Sequence, residues 1–61
     1  MDNLKGKSTI LIVDDEPVVL KVASMMIKKL DYEALQATNG MEAIHVFSDN
    51  IDIICLVILD Q

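Results

Sequence analysis

Two continuous apolar runs frame this sequence. Residues 9–13 (TILIV) and 53–59 (IICLVIL) lack the alternation of a half-exposed strand, and each stops at an aspartate, Asp14 in the first case and Asp60 in the second. Such runs predict strands buried on both faces of a sheet. Between them the period lengthens. Val19, Val22, Ala23, Met26, Ile27 and Leu30 recur at helical spacing behind Pro17, while Lys21, Lys28 and Lys29 fall on other faces. This predicts an amphipathic helix over 17–30, with proline in its first turn and a lysine pair at its negative end. Asp31 closes it, aspartate tolerating the left-handed region better than most residues. Residues 32–37 (YEALQA) read as a short, weakly patterned strand. Asn39-Gly40 suits either a hairpin turn or a helix start. Ala43, Ile44 and Phe47 follow at helical spacing, and Glu42 lies three residues after Asn39, so a capped helix over 40–48 is the better reading.

The resulting order, β-α-β-α-β, implies an α/β fold with a parallel sheet built from two right-handed crossovers. Strand 1 belongs in the centre, giving the order 2-1-3 with one helix on each face. The carboxyl ends of strands 1 and 3 then lie side by side at the switch point where open α/β sheets bind ligands.

Length and composition narrow the function. Sixty-one residues form one domain at most, of a size where a single core is only marginally sufficient. A 52% hydrophobic content and a mean hydropathy of +0.41 exclude a disordered tail. The lone cysteine, Cys55, cannot staple the chain to itself, and a reducing compartment is the simpler reading. Ten acids against five lysines give a net charge of −5, the wrong sign for holding a phosphate backbone. Direct nucleic-acid binding is therefore not expected. Neither apolar run is long enough to cross a bilayer, and no signal-peptide pattern opens the chain, so a cytoplasmic location is expected.

The topology brings Asp14, Asp15 and Asp60 to one end of the sheet. Three neighbouring carboxylates repel, and a hard divalent ion with oxygen ligands balances them; Mg2+ suits such a site because it keeps waters and binds through a few carboxylates plus a phosphate oxygen. It would also neutralise a phosphoryl group arriving on a carboxylate. The plainer alternative is that Asp14 and Asp15 cap the first helix and Asp60 is solvated.

Three segments resemble the receiver (CheY-like) domains of two-component response regulators: ILIVDDEP at 10–17, DYEALQATNGMEAI at 31–44 and CLVILD at 55–60. The resemblance implies a flavodoxin-like fold, of which residues 1–61 would be the truncated N-terminal half. It also implies that Asp14 and Asp15 help hold Mg2+, and that Asp60 accepts a phosphoryl group from a histidine kinase while contacting the metal. On this reading the chain is a phosphoacceptor in signal transduction and not an enzyme. The family draws a metal-coordinating carbonyl from two residues beyond the phosphoacceptor, a hydroxyl from strand 4, and a lysine and an aromatic switch from strand 5. Those positions are absent from these 61 residues, and Lys7, ahead of strand 1, cannot replace the lysine. Impaired phosphotransfer is therefore expected. Strand 3 would also keep an unpaired edge, from which self-association, most simply a homodimer around strand 3, is expected.

Two other functions compete: an oligomeric assembly module that keeps the half-fold without chemistry, and a carboxylate-nucleophile phosphatase. The second needs D-x-D after strand 1, where this chain has Asp14-Asp15-Glu16. Other features have plain readings. Gly6-Lys7-Ser8-Thr9 lacks the first glycine of a phosphate-binding loop. His45 reads as a boundary residue, Met25 and Met26 as packing residues, and Cys55 as inert core.

Overall fold

The computed structural model describes residues 8–59. They form β1 (Thr9–Val13), α1 (Pro17–Lys29), β2 (Glu33–Ala37), α2 (Gly40–Asp49) and β3 (Ile54–Leu59). The strands make one parallel sheet of order β2-β1-β3, the doubly wound arrangement expected from the sequence and consistent with half of a flavodoxin-like fold. Every residue of β1 is buried. Strand alternation divides that burial between two cores. Ile10 and Ile12 pack with Leu20 and Ile27 of α1, whereas Leu11 and Val13 pack with Ala37, Ile54 and, from α2, Ala43 and Val46. One helix therefore covers each face, as two right-handed crossovers in opposite directions require.

The helix ends follow local chemistry. Pro17 opens α1 behind an extended Glu16, and Lys28 and Lys29 fill its last turn. Asp31 adopts φ 73° just past the helix. Its N–H donates to the Lys28 carbonyl at 2.9 Å and the Tyr32 N–H donates to the Ile27 carbonyl at 3.2 Å, the two bonds of a Schellman closure, with Tyr32 packing back near Ile27. At the start of α2 the Asn39 carboxamide oxygen accepts the Glu42 N–H at 2.8 Å.

The inward stripe of α1 differs from the one its spacing predicts. Leu20, Ser24 and Ile27 are buried, whereas Val22, Met25, Met26 and Leu30 are all more than half exposed. The helix carries apolar residues around most of its circumference, so periodicity alone leaves its rotation open. A polar contact marks the chosen rotation: the Gln36 carboxamide of β2 donates to the buried Ser24 hydroxyl at 2.7 Å.

β3 departs furthest from expectation. Ile54 is buried, but Leu56, Val57, Ile58 and Leu59 are 38–71% exposed, and Cys55 is exposed instead of lying in a core. The helices pack chiefly on β1 and β2, and of β3 only Ile54 joins a core, the one that α2 covers. The register also shifts. Thr9 pairs with Ile54 but Ile10 pairs with Leu56, so Cys55 is the extra residue of a bulge.

Candidate functional site

The carboxyl ends of the strands are level. Val13 is in register with Ala37 on one side and with Leu59 on the other. The chain leaves β1 through Asp14, whose N–H donates to the Ala37 carbonyl at 3.1 Å and so extends the ladder by one step. Asp14 is only 6% exposed, and its carboxylate accepts the Glu16 N–H at 2.9 Å. This turn aims the chain from the strand into α1. It also settles part of the plainer reading: Glu16, not Asp14 or Asp15, occupies the cap position, and it makes no side-chain capping bond. Asp15 is exposed.

A cleft of about 470 Å³ opens over this rim, lined by Val13, Asp14, Asp15, Thr38, Asn39, Gly40 and Leu59. Its far wall is the turn between β2 and α2. There the Glu42 carboxylate accepts both the backbone N–H of Thr38, at 2.7 Å, and its hydroxyl, at 2.8 Å. These two donors hold the Glu42 carboxyl below its ordinary range, the backbone donor contributing most. In a capping box the Glu42 side chain would return to the N–H of Asn39; here it reaches one residue further, to Thr38. Sequence reasoning did not single out Thr38. The available signal was a hydroxyl residue next to an Asn-Gly helix start, which is common in turns that have no site.

Asp60, the expected phosphoacceptor, lies outside the described residues, as does Lys7. The structure brings Asp14 and Asp15 to one rim. Two carboxylates backed by a polar turn are donors of the kind a hard cation takes. Among the described residues no group of three acidic, histidine or cysteine side chains could hold a metal ion. His45 is exposed on α2, away from the lining residues of the cleft. No helix of the described residues is long and apolar enough to cross a membrane.

The chain is 38% identical over 47 residues to the probable transcriptional regulator ycf27 of Galdieria sulphuraria, a match covering 77% of this chain and 18% of that protein. The similarity points to a response-regulator receiver segment. No family model and no solved structure matches the chain.

Proposed function

We propose that this chain supplies the acidic end of a phosphorelay receiver, with Asp60 accepting a phosphoryl group from a histidine kinase and with Asp14 and Asp15 holding Mg2+ beside it. The observation that carries the reading is the pairing of Val13 with Leu59. The residues that follow these two in the sequence are Asp14 and Asp60. The similarity to a transcriptional regulator supports the same assignment. Since the chain spans only 18% of that relative, and its net charge of −5 opposes contact with a phosphate backbone, no nucleic-acid contact is assigned to this segment.

The chemistry asks little of the protein beyond position and charge. A carboxylate oxygen of Asp60 attacks phosphorus, the P–N bond of the phosphohistidine donor breaks as the O–P bond forms, and the electron pair leaves with the imidazole. Mg2+, when bound, offsets the charge gathered around the phosphoryl oxygens. The backbone donor to Asp14 keeps that carboxylate at the rim, where Asp14 and the exposed Asp15 would be the residues to hold the ion.

The test is intact-mass measurement after incubation with a small-molecule phosphodonor and Mg2+. Wild type gains one phosphoryl group, Asp60→Asn gains none, and Asp15→Asn gains less at limiting Mg2+. A gain retained in Asp60→Asn, or no gain in wild type after prolonged incubation, overturns the assignment.

A further inference from the structure

Gly40 opens α2, and neither of the usual reasons for a glycine applies to it. Among the described residues no glycine has a positive φ, so the backbone at position 40 suits any side chain. An added Cβ would meet nothing within 4 Å, so no neighbour needs the gap either. For the helix itself alanine is the better residue, because glycine surrenders more backbone freedom on folding than any other. What Gly40 provides is room.

That room borders the acidic rim. The cleft of about 470 Å³ has Asp14 and Asp15 in one wall and Thr38, Asn39 and Gly40 in another. Hydrogen bonds fasten the second wall on both sides of the glycine. Ahead of it, Thr38 gives its N–H and its hydroxyl to the Glu42 carboxylate, at 2.7 and 2.8 Å. Behind it, Glu42 and Ala43 give their N–H groups to the Asn39 carboxamide oxygen and carbonyl, at 2.8 and 2.9 Å. A wall tied at 38, 39, 42 and 43 does not readily withdraw. The clearance it leaves facing the two carboxylates is therefore governed by the side chain at position 40.

We propose that Gly40 is a specificity-determining residue: its missing side chain leaves the cleft wide enough for a phosphoryl group that arrives still attached to an imidazole ring. The inference rests on the assignment of Asp60 as phosphoacceptor. In such a donor the ring is bonded directly to phosphorus, so it must enter the cleft together with the phosphoryl group. An ammonia leaving group takes up far less room. In both cases the O–P bond to Asp60 forms as the P–N bond breaks, and the electron pair leaves with nitrogen, as neutral imidazole or ammonia from the protonated donor. The chemistry is the same and only the bulk of the leaving group differs, so a side chain at position 40 discriminates between the two.

Phosphoramidate and N-phosphoimidazole are the two probes, with rates of mass gain measured at saturating Mg2+. Wild type accepts from both. Gly40→Leu slows transfer from phosphoimidazole about tenfold more than transfer from phosphoramidate. Gly40→Ala moves the ratio the same way by less, while raising the midpoint of urea unfolding, and it decides the matter should Gly40→Leu fail to fold. Met41→Ala, at a neighbouring position that is 78% exposed and outside the lining of the cleft, leaves the ratio unchanged. A ratio unmoved by either glycine variant, equal slowing with both donors, or a urea midpoint lowered by Gly40→Ala would each overturn the proposal and leave the Asp60 assignment standing. A wild type that accepts from neither donor overturns that assignment, and the role of Gly40 falls with it.

Discussion

The β2 and β3 sides of this sheet are built from unlike sequences and meet unlike fates. β2 is the poorer strand by composition, five residues with a glutamate and a glutamine among them. It is nonetheless the covered one, with α1 on one face, α2 on the other, and a hydrogen bond from Gln36 to Ser24 tying it to α1. β3 is the more apolar strand and stands open over most of its length. Apolar content therefore records what a strand is suited to bury. Which strand is covered depends on where the crossovers land, and with one crossover per face both helices lie over β1 and the strand that joins them.

That contrast sets the expected costs of substitution. Leu11→Ala removes a side chain only 1% exposed between β1 and α2, and costs about 3 kcal/mol. For a chain of this length that is comparable to the whole stability, and urea titration should find the variant largely unfolded. Leu59→Ala, at a position 71% exposed, should change the stability by less than about 0.5 kcal/mol. Equal costs at the two positions would mean that the β3 side is covered in solution. A smaller effect lies at the α2 start. Asn39→Ala leaves the Glu42 N–H without its capping acceptor and should cost about 1 kcal/mol by the same titration.

The smallest effect is a pH dependence at Glu42. Its folded pKa is lowered by the two Thr38 donors, so its contribution is fully present above the unfolded value near 4.5 and is lost as pH falls through the folded one. The stability gap between wild type and Glu42→Gln should therefore shrink between neutral pH and about pH 3. A gap that is unchanged at low pH would show that the charge on Glu42 contributes nothing to the turn.

Much of the fold was legible because its signals are local. The unbroken TILIV run, Pro17, the left-handed Asp31 and the Asn39 cap each act within a few residues, and each is where the pattern placed it. What could not be read depends on distant partners. The rotation of α1 rests on Ser24 meeting Gln36 across the sheet, and nothing in the helix's own spacing marks Ser24 as buried. The exposure of β3, and with it the misplacing of Cys55 in a core, depends on helices lying elsewhere. At the site, the turn at Asp14 and the Thr38–Glu42 contact belong to loops, whose hydrogen bonds leave no period in the sequence.

The bulge at Cys55 settles how far the third strand advances along the first. Pairing in step from Thr9 and Ile54 would set Val13 against Ile58; the supernumerary residue moves the frame on by one, and Val13 meets Leu59 instead. Insertions or deletions are consequently not equivalent along this strand. Removing residue 55 would abolish the irregularity while leaving positions 56–59 opposite their present partners. Removing residue 57 would draw the last two residues back by one step and leave the tips of the two strands uneven.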